Sequence, residues 1–106
     1  MSKYMFRASL TAEGMAGVLK EGGAARRQVV KDAIEGLGGA LEAFYFAFGD
    51  DDVIGIVDLP DNVTAAAFGI QVGASGTVGI STTVLLTPEE VDKAKDIKSS
   101  WRPPGA

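Results

Sequence analysis

From Lys3 to Leu10 the side chains alternate, with Tyr4, Phe6, Ala8 and Leu10 on one side and Lys3, Met5, Arg7 and Ser9 on the other. A period of two marks a half-buried strand. Thr11 then offers a hydroxyl to cap a helix, Glu13 suits its first turn, and Met15, Val18 and Leu19 continue at helical spacing. Gly22 and Gly23 interrupt that pattern at about 1 kcal/mol each relative to alanine, which predicts a kink or break. From Ala24 the spacing resumes, with Val29, Val30, Ala33, Ile34 and Leu37 on one face and Arg26, Arg27, Lys31, Asp32 and Glu35 on the other. Gly38-Gly39 supplies a left-handed stop.

Leu41–Phe48 and Val53–Leu59 are apolar, aromatic or β-branched runs separated by Gly49-Asp50-Asp51-Asp52, the pattern of a hairpin, and Pro60 closes the second run. Asp61 or Asn62 can cap a second helix through Ala65, Ala66, Ala67, Phe68, Ile70 and Val72, which breaks at Gly73–Gly76. Thr77–Leu86 reads as extended, and Thr87-Pro88-Glu89-Glu90 is a capping box that opens a short charged helix to about Lys98. The order β-α-β-β-α-β with a terminal helix predicts an α+β, ferredoxin-like fold: an antiparallel sheet with helices on one face. Residues 1–98 form a single domain in this reading, and 99–106 a C-terminal tail.

The second face of that sheet is the informative one. Strands with one wet face alternate apolar and polar, yet the central hairpin is apolar on both faces. Helices on one side leave a patch larger than monomers usually expose, and a second copy of the sheet, related by a two-fold axis, would cover it. The expected partner is therefore the chain itself, as a homodimer or a higher homo-oligomer. Outward positions such as Met5, Arg7, Tyr45, Val57 and Ser81 are expected to line the enclosed space, where a small-molecule ligand would bind.

Composition narrows the chemistry. Among 106 residues there is no cysteine and no histidine, which removes disulfides, thiol nucleophiles, the commonest general base and most transition-metal sites. No cofactor is expected. A net charge of −4 gives no polycationic face for nucleic acid, and no apolar run is long enough for a membrane span. A soluble, cytoplasmic protein with neither nucleic-acid nor membrane partners is the expectation.

Four stretches carry a family resemblance: S-L-T-A-E-G-M with a downstream A-R-R, L-G-G-A-L-E-A-F-Y-F-A-F-G-D-D-D-V, D-L-P-D-N-V-T-A-A-A, and the run S-T-T-V-L-L-T-P-E-E-V. Across Tyr4 to Ala94 the chain resembles the GYD domain proteins, small bacterial chains of the dimeric α/β-barrel superfamily. That family is named for a glycine-tyrosine-aspartate signature at the central hairpin. Gly49 and Asp52 match it, whereas Asp51 stands in the place of the tyrosine. The resemblance implies the fold and its pairing. It implies no established activity, since superfamily relatives include cofactor-free monooxygenases, muconolactone isomerases, haem-degrading enzymes and ligand-sensing domains.

The candidate ligand-binding residues are Arg7, Ser9, Tyr45 and Asp52, with Asp52 and Tyr45 as catalytic candidates. Asp50, Asp51 and Asp52 lack the spacing of a calcium loop and read as a solvated hairpin, so no metal site is expected. Asp52, expected on the side of Ile54 and Ile56, has two readings: an acceptor for a neighbouring turn, or a base whose pKa is raised by burial. Arg7 shares a strand face with Ser9 and either clamps a carboxylate ligand or pairs with an acid across the dimer; the phenol of Tyr45 orients a ligand or is structural. A small-molecule binding or interaction module without a defined catalytic constellation is the leading function. The alternative is a cofactor-independent oxygenase or isomerase acting in the inter-sheet cavity.

Overall fold

In the computed structural model, which describes residues 1–106, the chain forms β1 (Ser2–Leu10), α1 (Ala12–Glu21), α2 (Gly23–Gly36), β2 (Ala40–Phe46), β3 (Val53–Leu59), α3 (Asn62–Ala74), β4 (Val78–Leu85) and α4 (Pro88–Lys95). The helix break falls at Gly22, whose φ of +86° ends α1 and opens α2. Gly38, at φ +83°, turns the chain off α2, and the Gly39 amide donates back to the Ile34 carbonyl at 3.0 Å. Thr11, Asp61 and Thr87 are the side-chain caps of α1, α3 and α4. At Thr87 the capping box is reciprocal, with the Glu90 amide donating to the hydroxyl at 3.1 Å and the Thr87 amide donating to the Glu90 carboxylate at 3.0 Å.

The four strands make one antiparallel sheet in the order β2-β3-β1-β4, the ferredoxin-like arrangement. α2 packs on β2 and α3 on β4, and the core lies between helices and sheet: Tyr4, Phe6, Ala8, Ile34, Val53, Val57, Leu59, Ala65 and Phe68. Phe6 stacks edge-on to Phe68 with ring centroids 5.9 Å apart. The one polar atom carried into this core by Tyr4 is satisfied, since its hydroxyl donates to the Asn62 side-chain oxygen at 2.6 Å.

Register decides which residues share a face. Tyr4 lies opposite Val57, so Val57 belongs to the helix-covered face and is only 2% exposed. The expectation that Val57 lines the second face is thereby corrected; Ile54 and Ile56 occupy that face instead. A bulge between Leu41 and Ala43 resets the phase of β2, after which Phe44 and Phe46 face the helices and Tyr45 faces away. β2 stops at Phe46, two residues short of the expected end, and Phe48 stands in the hairpin fully exposed.

Two helix caps make stability depend on pH. Amide and hydroxyl of Thr64 both donate to the Asp61 carboxylate at 2.8 Å, which holds its pKa below the ordinary 3.8; the Thr87 amide does the same to Glu90, ordinarily 4.5. A depressed folded-state pKa gives stability that is complete above the ordinary value and is lost as pH falls through the folded one. Acid titration followed by circular dichroism should show stability level above about pH 5 and falling below pH 4. Asp61→Asn, which keeps an acceptor for Thr64, should flatten part of that fall.

Candidate functional site

The face without helices is built by four strands contributing matched rows. Pairing places Tyr45, Ile54, Arg7 and Ser81 in one row across β2, β3, β1 and β4. The adjacent row is Ala43, Ile56, Met5 and Thr83. Ala43, Met5, Ile54 and Ile56 form a half-buried apolar floor, while Tyr45 is 70% exposed and Arg7, Ser81 and Thr83 are exposed. Ser9, opposite Gly79, lies beyond Arg7 toward one end.

The other end of the face is closed by charge. Lys3 donates to Glu42 and to Asp58, each at 3.0 Å. Its hydrogen bond to Asp58, then that to Glu42, raises the Lys3 pKa above the ordinary 10.5, so the ammonium stays charged throughout the physiological range. Glu42 is the bulged residue of β2, and the bulge brings its carboxylate to the lysine. Apolar floor, single free guanidinium and hydroxyl flank together suit a small organic acid with an apolar body.

Arg7 and Tyr45 are thus brought onto one row, two strands apart, with backbones separated by about 10 Å. That spacing lets one small molecule contact both. Asp52 is elsewhere in its interactions: its carboxylate accepts from the Leu10 amide at 2.8 Å, and its own amide donates to the Ala8 carbonyl at 2.8 Å. Asp52 also lines a separate apolar pocket with Met15, Val18, Phe46 and Phe48. Nor do three acidic side chains anywhere in the chain converge on a point that could hold a metal ion.

Asp52 joins the ends of β1 and β3. Replacing it with alanine leaves the Leu10 amide without its acceptor and should lower stability by about 1–2 kcal/mol, measured by urea denaturation. Asp52→Asn, retaining an oxygen acceptor, should lose less.

With the fold and this helix-free face described, the sequence comparison decides the family. The GYD domain model matches residues 4–94. The chain belongs to the GYD domain family. At the central hairpin this GYD protein presents an acidic loop, Gly49–Asp52. A crystal structure of MtbAldR matches with a TM-score of 0.62 and 18% identity over 81% of this chain and 53% of that one. At that identity the likeness is one of fold, and this GYD chain spans about half the length of that protein. No curated protein matches the chain. No helix of the GYD domain is long and apolar enough to cross a membrane.

The site also shows what sequence reading missed. The pocket lined by Leu10, Met15, Val18, Phe46, Phe48 and Asp52 has a volume of about 490 Å³ and opens beside the acidic loop. Its one sequence signal was a phenylalanine, Phe48, separated by a single glycine from three aspartates, where a solvated turn has no use for an aromatic ring.

Proposed function

We propose that this GYD domain is the protomer of a homo-oligomer whose paired sheets enclose a small-molecule site, a binding or interaction module for small organic acids. The observation that carries the reading is the uncovered floor of Met5, Ala43, Ile54 and Ile56 with Arg7 beside Ile54 at its edge. A second copy removes that apolar surface from water and contributes its own Arg7, giving a closed space with two guanidinium groups. Proton-transfer chemistry is the weaker reading, because Asp52, its best base, is occupied by the Leu10 amide.

Native mass spectrometry of protein taken directly from cells tests this. The expected species is an even number of chains carrying an additional discrete mass of a few hundred daltons or less. For a direct probe, benzoate titrated calorimetrically should bind the oligomer, and Arg7→Ala should weaken it at least tenfold while leaving the oligomer intact. That ratio corresponds to about 1.4 kcal/mol, the low end for a charge-assisted contact. Unchanged benzoate affinity in Arg7→Ala would remove the clamp.

A further inference from the structure

The segment after β4 is left without a partner in its own chain. Every residue from Pro88 to Ala106 is exposed, and α4 makes no extensive contact with another element. The radius of gyration is 17.0 Å, against about 13 Å for a compact chain of this length, and the long axis is 58 Å: the segment projects as an arm. Val91, Ala94 and Ile97 recur along it at helical spacing, and Trp101 follows. Ile97 is 78% and Trp101 74% exposed, an unusual placement for a tryptophan.

Its charges are one-sided where the tryptophan sits. From Ile97 to Ala106 the only charged side chains are Lys98 and Arg102. The pocket beside the hairpin has the opposite character. Between Glu42 and Asp61 there is no lysine or arginine, and Asp50, Asp51 and Asp52 follow the exposed Phe48 at its lip. An aromatic ring followed by a guanidinium fits an apolar pocket with carboxylates at its rim.

We infer that the arm docks in a second copy of this chain, with Trp101 in the pocket formed by Leu10, Met15, Val18, Phe46 and Phe48, and Arg102 against the acidic hairpin. The inference rests on the paired sheets proposed above. The arm leaves the sheet near the Lys3–Leu85 pair, whereas the pocket lies at the opposite end of β1, at Leu10. A two-fold axis that crosses the strands reverses their direction and sets the root of one arm beside the pocket end of the other copy. Docking also covers Phe48 and Met15, which the isolated chain leaves exposed.

Trp101 is the sole tryptophan, so its fluorescence reports the arm alone. Intact protein at high concentration should emit at shorter wavelength than free tryptophan, and the emission should move red on dilution as the oligomer separates. Phe48→Ser and Met15→Asp, both at exposed positions, should each give red emission while the oligomer persists. Arg102→Glu should do so partially, and Asp51→Arg in the same chain should restore the blue emission. Red emission from an intact wild-type oligomer overturns the docking and leaves the paired sheets standing. Blue emission that ignores both Phe48→Ser and Met15→Asp overturns this pocket as the receptor, and blue emission from a monomer overturns the second copy. A monomer with red emission defeats the docking together with the pairing on which it rests.

Discussion

Ile56→Lys is expected to yield a folded monomer. Ile56 lies at the middle of the helix-free face, between Ala43 and Met5, and none of the buried core residues belongs to its row. A lysine there keeps its stem along the sheet and holds its ammonium in water when the chain is alone. In the pair, two-fold symmetry brings in two ammonium groups and strips their hydration, a cost of several kcal/mol per ion that outweighs the apolar burial the rest of the face supplies around each of them. Size-exclusion chromatography should show the single-chain species at concentrations where the wild type associates, with an unchanged circular dichroism spectrum. Loss of the fold in this variant would mean that the face is part of the core of a single chain, contrary to the structure.

Gly55→Val is expected to damage the fold itself. Gly55 is buried in β3 opposite Phe6 on one side and Phe44 on the other. A Cβ built at Gly55 runs into the ring of Phe6, which is 4% exposed and held by Phe44 and Phe68. Displacing that ring breaks its packing against Phe44 and Phe68, and overpacking of this kind costs about 3 kcal/mol. For a domain whose total stability is about 5–15 kcal/mol, this should lower the melting temperature by about 15 °C. Differential scanning calorimetry reads it directly, and a double variant with Phe6→Leu should recover part of the loss.

The contrast between these two neighbours shows what the sequence discloses. Alternation in β1 is clean because Lys3, Arg7 and Ser9 mark the wet face, and the caps at Thr11, Asp61 and Thr87 are local chemistry written within four residues. β3 reads V-I-G-I-V, apolar on both faces, so its period of two is invisible and nothing local says whether Val57 or Ile56 lies under the helices. That is settled by pairing with Tyr4, 53 positions away, and by the bulge at Glu42. The same holds for Asp52, whose partner, the Leu10 amide, is 42 residues distant in sequence. Its carboxylate looks available only in a linear reading, from which long-range interactions are absent. Alternation alone puts Arg7 and Tyr45 on the correct face, but their sharing of a row through Ile54 requires the register. The family is legible in order and spacing, since the GYD pattern extends across nearly every element.

A second copy is expected to cover the face made by Met5, Ala43, Ile54 and Ile56. Sedimentation equilibrium of the untagged chain at micromolar concentration tests it most directly, because mass is obtained without reference to shape and the projecting arm cannot mislead it. The expected result is an even multiple of the single-chain mass that reverts to one chain in Ile56→Lys. A single-chain mass for the wild type at every concentration up to about 100 μM, a range in which even a weak specific dimer associates, would contradict it.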